Sequence, residues 1–253
     1  MIFKKNKKLA SQLPEARRIH DEKVYLVEDR SEKPKEIFIQ VRDLIKNWQC
    51  NYSQPVHLLD VGCATGDFLK FVSMEFPDFK QSGLDVSKKM LMESRKRLPD
   101  THFIEGSLLD KSALNGKKFD VITCMGVLSI FDSLEEPIEI LLKALKPNGL
   151  LIIFGMMNEY AMDVLVRCRY ANSPNEPWQI GYNAFSREYY ERVIEQSDLK
   201  LDYSWKKFQM PFNVAKTDDL LRNWTVPLGD DPYQQIRGTS QLSTQYILEI
   251  MVK

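Results

Sequence analysis

A short apolar run that passes through a glycine turn into an amphipathic segment constrains this chain most. Residues 56–61 are mostly apolar and carry one acid near their end, and Gly62 and Gly66 follow within five positions. Glycine lets the backbone turn where a side chain would clash, and it lets a ligand lie against the main chain. The stretch therefore predicts a strand, a tight turn and a helix. The helix is indicated by apolar residues at helical spacing, Phe68, Leu69, Phe71, Val72 and Phe76.

The residues of the turn indicate which ligands it can bind. A dinucleotide-binding fingerprint that began at Gly62 would need glycines where Ala64 and Asp67 stand. A phosphate-binding P-loop would need Gly-Lys-Ser or Gly-Lys-Thr after four intervening residues, but Asp67 and Phe68 follow instead. A helix N-terminus favours phosphate because its dipole end is positive. Asp60 and Asp67 place carboxylates on both sides of this turn, so the turn disfavours a pyrophosphate and suits a cation.

The string Asp-Val-Gly-Cys-Ala-Thr-Gly at residues 60–66 resembles motif I of the class I S-adenosylmethionine-dependent methyltransferases. S-adenosylmethionine carries an ammonium and a sulfonium, so the acidic turn matches this cofactor. The resemblance covers residues 56–155 as five alternating strand and helix units. It implies an α/β, doubly wound, Rossmann-like fold: a seven-stranded, mostly parallel sheet with an antiparallel last strand and helices on both faces. A generic strand-to-helix turn of another α/β protein is the alternative.

The resemblance also implies which residues bind the cofactor. Asp85, which ends the second predicted strand 25 residues after Asp60, stands where the family's acid accepts hydrogen bonds from the ribose hydroxyls. After the third strand the family often has an acid that holds the adenine amino group, but this chain has Ser107. The full predicted set is Asp60, Gly62, Ala64, Gly66, Asp85, Ser107, Leu108 and Met125.

No general base is visible where small-molecule members of the family commonly carry one. They often have an Asn or a His after the fourth strand, and this chain has Gly126 and Ser129 there. Methyl transfer from a sulfonium is an in-line displacement with a good leaving group, so positioning can supply much of the catalysis. A base is needed only if the nucleophile must lose a proton. The predicted catalytic residues are His20, Asn158 as an orienting group and Tyr182, with Tyr25 and Tyr160 as further candidates.

The resemblance divides the chain in two. Residues 1–55 are predicted to form an N-terminal helical cap or lid, with a helix over 34–49 at the edge of the main sheet. Residues 56–253 are predicted to form the methyltransferase domain, with insertions at about 156–185 and 210–243. Long excursions commonly form lids. Aromatic and arginine residues in the second insertion suit an anionic or sugar-like acceptor.

The composition of the chain limits the classes of partner that it can bind. Lysine plus arginine total 35 and aspartate plus glutamate total 35, so the formal net charge is zero, which argues against a nucleic-acid partner. The four cysteines form no Cys-x-x-Cys pair and lie at no short spacing to the three histidines, so neither a metal site nor a disulfide framework is predicted. No apolar run approaches the roughly 18 residues that span a bilayer. These features predict a reduced, cytoplasmic chain with a small-molecule acceptor, and they indicate no oligomeric state.

We therefore expect an S-adenosylmethionine-dependent methyltransferase that methylates an oxygen of a small molecule, such as a sugar or a phosphorylated or nucleotide-linked glycan precursor. The choice of oxygen rests on similarity of the Cys-Ala-Thr-Gly loop and the aromatic insertion to methyltransferases of bacterial surface polysaccharides. No Asn-Pro-Pro-Tyr or Asp-Pro-Pro-Tyr string follows the fourth strand, which argues against the usual amino-methylating enzymes of DNA and of protein glutamine. A nucleic-acid methyltransferase and a non-catalytic scaffold that keeps the cofactor fold remain as alternatives.

Overall fold

A computed structural model describes residues 24–27, 33–50, 52, 54–110 and 112–253. Its helices are α1 (Glu36–Gln49), α2 (Asp67–Glu75), α3 (Lys88–Arg97), a 3₁₀ turn (Leu128–Ile130), α4 (Glu135–Lys143) and α5 (Arg187–Glu195). Its strands are β1 (His57–Val61), β2 (Lys80–Asp85), β3 (His102–Glu105), β4 (Phe119–Met125), β5 (Leu145–Asn158), β6 (Arg167–Cys168), β7 (Gln179–Ile180), β8 (Phe185–Ser186), β9 (Leu201–Phe208), β10 (Trp224–Leu228), β11 (Asp231–Ile236), β12 (Leu242–Ser243) and β13 (Gln245–Val252). Within the described ranges, no helix has the length and apolar character needed to cross a bilayer.

The main sheet has the strand order β3-β2-β1-β4-β5-β13-β9, and the two-residue strand β8 pairs with the end of β5. The pairs from β3 through β5 are parallel, and β13 runs antiparallel to both β5 and β9. The predicted doubly wound sheet with an antiparallel last strand is confirmed, with β8 as a short addition. Register pairs Val61 with Leu84 of β2 and with Cys124 of β4. The carboxyl ends of three central strands therefore lie level, which is where ligands bind in open α/β sheets.

Two apolar clusters cover the two faces of the sheet. Successive strand residues point to opposite faces, so Leu58 joins one cluster and Leu59 the other. One cluster is completed by α4 and α5, and the other by α1 and α2. The predicted position of the first helix at the sheet edge is wrong. Val41 and Ile45 of α1 share a cluster with residues of β1, β4 and β5, so this helix packs across the middle of the sheet.

The two predicted insertions hold small sheets of their own. The first contains the antiparallel pair β6 and β7, and the second contains the antiparallel strands β10, β11 and β12. The guanidinium carbon of buried Arg237 lies 3.7 Å from the centre of the Tyr182 ring. This cation–π contact joins the two insertions. Between them, Ser186 caps α5 by accepting a hydrogen bond from the Tyr189 backbone N–H at 3.2 Å.

Candidate functional site

The turn between β1 and α2 is built from left-handed backbone. The φ angles are +71° at Gly62, +47° at Ala64 and +81° at Gly66. The Gly62 N–H donates to the Leu84 carbonyl oxygen at 2.7 Å, which ties the turn to the end of β2. A Cβ atom on Gly62 would lie 2.3 Å from Val127 Cγ2, so both the φ angle and the lack of space require glycine there.

Asp85 is held against this turn by two backbone amides. The Ala64 N–H donates to Asp85 Oδ2 at 2.9 Å, and the Ser87 N–H donates to Oδ1 at 2.8 Å. The helix cap that follows is Ser87, whose hydroxyl accepts from the Met90 N–H at 3.4 Å. A carboxylate offers about four acceptor positions. A carboxylate at the end of the second strand has the chemistry to accept hydrogen bonds from two neighbouring ribose hydroxyls.

Asp60, at the end of β1, is a buried acid with a raised pKa. Its side chain is 3% exposed, and the Thr123 hydroxyl donates to its Oδ1 at 2.7 Å. Burial, reinforced by the nearby charge of Asp85, raises the pKa of Asp60 to about 7, although the Thr123 hydrogen bond and the charge of Lys35 oppose the shift. Asp60 therefore titrates near neutral pH, and a cation bound beside it would favour its ionised form.

Asp67 differs from the role that the sequence predicts for it. It is 8% exposed and forms an ion pair with Arg97 of α3, with 2.9 Å between Oδ1 and the guanidinium nitrogen. Arg97 therefore offsets much of its charge. The carboxylates that define the charge of the turn are Asp60 and Asp85, not Asp60 and Asp67.

A cavity of about 750 Å³ opens at the carboxyl ends of β1, β2 and β4. Seven of the eight predicted cofactor residues line it: Asp60, Gly62, Ala64, Asp85, Ser107, Leu108 and Met125. Gly66 is absent from the wall and forms the N-cap of α2 instead. The described part of the wall also carries acids that the sequence analysis did not select as cofactor-binding residues. Its carboxylates are those of Asp60, Asp67, Asp85, Glu105 and Asp110. Such a wall favours a cationic ligand.

Part of the wall comes from segments outside the strand–turn–helix units. Tyr25, Lys35, Ile37 and Phe38 precede β1 in the chain and line the cavity, as does Phe154 of β5. Sequence reasoning named only Tyr25 among these. Phe38 illustrates the difficulty. It is an aromatic residue on a helix and is only 6% exposed, so its sequence pattern is that of a hydrophobic-core residue. Only its position at the start of α1 could have distinguished it from such a residue.

Among the described residues, the structure brings none of Asn158, Tyr160 and Tyr182 to this cavity. His20 lies outside the described residues. Asn158 holds the turn after β5, since its Nδ2 donates to the Met162 carbonyl oxygen at 2.8 Å and its Oδ1 accepts from the Tyr160 N–H at 3.1 Å. Tyr182 packs under Arg237. Asn158, Tyr160 and Tyr182 are all absent from the cavity wall, because each belongs to the first insertion or to the strand end that leads into it.

Comparison with known proteins shows similarity over part of the chain. A family model described as a methyltransferase domain matches residues 59–151. The dTDP-3-amino-3,4,6-trideoxy-α-D-glucopyranose N,N-dimethyltransferase of Streptomyces venezuelae is 34% identical over 100 residues, which cover 38% of this chain and 40% of that protein. The malonyl-[acyl-carrier protein] O-methyltransferase of Halalkalibacterium halodurans is 33% identical over 104 residues, 39% of this chain and 38% of that protein. The chain thus matches about two fifths of the length of these relatives.

A solved structure shows the same fold over nearly the whole chain. The N-methyltransferase NodS from Bradyrhizobium japonicum WM9, in complex with S-adenosyl-L-homocysteine, superimposes with a TM-score of 0.54 at 14% identity, covering 92% of this chain and 97% of that one. The family match shows a methyltransferase domain at residues 59–151, and the motif I turn and the fold are similar to those of the class I S-adenosylmethionine-dependent methyltransferases. The predicted fold class is confirmed, and the family match and the S-adenosyl-L-homocysteine complex of the structural neighbour support the predicted family and cofactor.

The residues present fit that cofactor. Asp60 is a buried acid beside the turn, and Asp85 lines the cavity as a second carboxylate fixed by two backbone amides. Thr65 Oγ1, also beside the turn, is buried and has no hydrogen-bond partner among the described residues. Buried polar atoms without partners are few in native proteins. A ligand with several polar groups would complete this set.

Proposed function

We propose that this protein transfers a methyl group from S-adenosylmethionine to an oxygen atom of a small molecule. The observation that carries the proposal is the acidic cavity in which Asp85 is fixed by two backbone amides beside the left-handed turn. Its volume of about 750 Å³ lies within the range of roughly 300–1,000 Å³ that is typical of small-molecule sites.

When bound, S-adenosylmethionine supplies a methyl group on a positively charged sulfur. In our proposal Asp85 accepts hydrogen bonds from the ribose hydroxyls of the cofactor. Asp60 balances the positive charge of its amino-acid end, and the backbone at Gly62 and Ala64 lets the cofactor lie close to the main chain. Phe38 and Phe154 give the cavity apolar walls that exclude water from the reacting groups. Catalysis then comes mainly from alignment of the acceptor.

The acceptor oxygen decides whether a base is required. A sugar hydroxyl must lose its proton, whereas a carboxylate is already ionised at neutral pH and needs no base. The described wall residues include no histidine. One relative is named as an N,N-dimethyltransferase of a dTDP-linked amino sugar, which supports a sugar as acceptor but not an oxygen atom. The other is named for O-methylation of a malonyl group, which supports transfer to oxygen. Sugars, phosphorylated or nucleotide-linked glycan precursors and carboxylic acids are therefore the acceptors to screen first.

Calorimetric titration tests the cofactor half of the proposal. We expect S-adenosylmethionine to bind with micromolar affinity and NAD to show no binding. Asp85→Ala should weaken S-adenosylmethionine binding by at least about tenfold, because an ionised acceptor is lost. Asp100→Ala, at an exposed position after α3, is the matched control and should bind like the wild type. Unchanged affinity in a folded Asp85→Ala variant would contradict the site.

Methyl transfer tests the acceptor half. The protein is incubated with methyl-labelled S-adenosylmethionine and each acceptor, and the products are treated with mild alkali. A methyl ester of a carboxylate releases labelled methanol, whereas a methyl ether of a sugar hydroxyl and a methylated amine do not. Label retained on an amine would contradict transfer to oxygen. Cofactor binding with no transfer to any acceptor class would instead support a binding protein that keeps the fold.

A further inference from the structure

The acids and the base of the cavity wall come from different parts of the chain. The acids at the ends of β1 and β2 lie within the residues that the family model matches. Lys35, which precedes the matched residues, is the one basic residue among the described residues of the wall. Lys35 Nζ lies 4.8 Å from the centre of the Tyr25 ring and 5.7 Å from that of the Phe38 ring. These aromatic contacts help to position the ammonium group at the cavity wall.

A second cation reaches Tyr25 from the other end of the chain. The guanidinium carbon of Arg222, just before β10, lies 5.9 Å from the centre of the Tyr25 ring. Arg222 also pairs with Asp219, with 3.8 Å between the charged atoms. Tyr25 thus has one cation from the start of α1 and another from the second insertion, and all three residues lie outside the matched residues 59–151. Segments outside a shared scaffold are the usual place for specificity.

We propose that Lys35, Tyr25 and Arg222 form a subsite for an anionic group, a carboxylate or a phosphate, on the methyl acceptor. This proposal rests on the proposed function and names the substrate class of the same site. The two cations attract the anion, and the Tyr25 hydroxyl can donate a hydrogen bond to it. An acceptor with one anionic end would bind at this subsite in one orientation.

The cofactor itself carries a carboxylate, which is the other source of this chemistry. Lys35 is close enough to Asp60 for its charge to lower the pKa of that acid. The test must therefore separate an anion on the acceptor from the carboxylate of the cofactor. Decarboxylated S-adenosylmethionine serves this purpose, because it keeps the ammonium and the sulfonium and lacks only the carboxylate.

The experiment measures two affinities by calorimetry in the full chain. The first is the affinity of malonate and of glucose 1-phosphate for protein that is saturated with S-adenosylhomocysteine. Malonamide and glucose, the uncharged counterparts of these two probes, are measured for comparison. The second is that of S-adenosylmethionine and of its decarboxylated form for the free protein. The variants are Lys35→Met and Arg222→Met. Their controls are Lys216→Met and Arg169→Met, which remove cations from aromatic contacts at Trp224 and Trp178, all residues that do not line the cavity.

We expect at least one anionic probe to bind about tenfold more tightly than its uncharged counterpart. Lys35→Met should remove that preference and Arg222→Met should reduce it several-fold, while the two controls and the affinity for S-adenosylmethionine stay unchanged. The proposal is overturned if no probe binds better than its uncharged counterpart. It is also overturned if Lys35→Met weakens S-adenosylmethionine but not its decarboxylated form, since Lys35 would then serve the cofactor. Failure of the wild type to bind S-adenosylmethionine at all would instead refute the proposed function.

Discussion

Replacing Asp60 with asparagine should strengthen the fold at alkaline pH while it weakens the cofactor site. Burial raises the pKa of Asp60 from 3.8 to about 7. An acid whose pKa is higher in the folded than in the unfolded chain favours folding below its unfolded pKa, and this contribution is lost as pH rises through the folded pKa. Near pH 8 the folded protein therefore holds an ionised carboxylate in a site that prefers the neutral form.

The size of the effect follows from the shift. About 3 pKa units at about 1.4 kcal/mol each give on the order of 4 kcal/mol of destabilisation above pH 7. An asparagine keeps an acceptor for the Thr123 hydroxyl, which donates to Asp60 Oδ1 at 2.7 Å. We expect Asp60→Asn to raise the free energy of unfolding by a large part of that value at pH 8 and to leave it nearly unchanged at pH 4.

Urea unfolding at pH 4, 6 and 8 measures this difference, and calorimetry measures the affinity for S-adenosylmethionine. The variant should bind the cofactor at least about tenfold more weakly, since the charge opposite its ammonium is gone. Asp67→Asn is the matched control, and its expected effect on the free energy of unfolding has the opposite sign. Asp67 is buried, but its Oδ1 lies 2.9 Å from a guanidinium nitrogen of Arg97, so its replacement should destabilise the protein at pH 8. An Asp60→Asn variant equally or less stable than the wild type at pH 8 would refute the reasoning.

Three further predictions follow from single contacts. Gly62→Ala should lower stability by about 1–3 kcal/mol, because the new Cβ would lie 2.3 Å from Val127 Cγ2; thermal unfolding should show partial recovery when Val127→Ala is added, and an unchanged melting temperature would contradict the clash. Thr65→Val should raise the free energy of unfolding by about 1 kcal/mol, because a buried hydroxyl without a partner among the described residues is removed; a loss of stability in urea would show that the hydroxyl is bonded. Burial alone would raise the pKa of Asp120, but hydrogen bonds led by that from Lys146 hold it below its ordinary value. The stability that Asp120 contributes is therefore lost as pH falls through its folded pKa, so Asp120→Asn should cost about 1–3 kcal/mol at pH 7 and much less at pH 3 in urea unfolding; an equal loss at both pH values would count against this assignment.

The cofactor side of the site could be predicted because its signals are local in sequence. Gly62, Ala64 and Gly66 occupy one turn, and Asp85 ends the next strand along the chain. Parallel strands place these ends side by side, as the pairing of Val61 with Leu84 shows. Apolar periodicity then located the strands and helices of residues 56–155, since each element there buries one face or both.

Most of the rest of the site could not be predicted because distant segments assemble it. The sequence indicated Tyr25 as a candidate, but Tyr25, Lys35 and Arg222 meet only in the folded chain, and nothing in their spacing marks a cavity. Asn158 and Tyr182 were selected for their chemistry and their place after β5. Their side chains hold a turn and pack under Arg237, which are contacts that periodicity cannot show.

The relatives limit what can be concluded about the acceptor. The two relatives described above align with about two fifths of this chain, yet one is named for an amino sugar and the other for a malonyl group on a carrier protein. A match of this extent to proteins with such different names does not choose between the acceptors. We propose that residues outside the matched range 59–151 contribute to the choice, since Tyr25 and Lys35 line the cavity and Arg222 lies against the Tyr25 ring. The charge of these residues, rather than further similarity in the motif I turn, is therefore the property to test when the acceptor is sought.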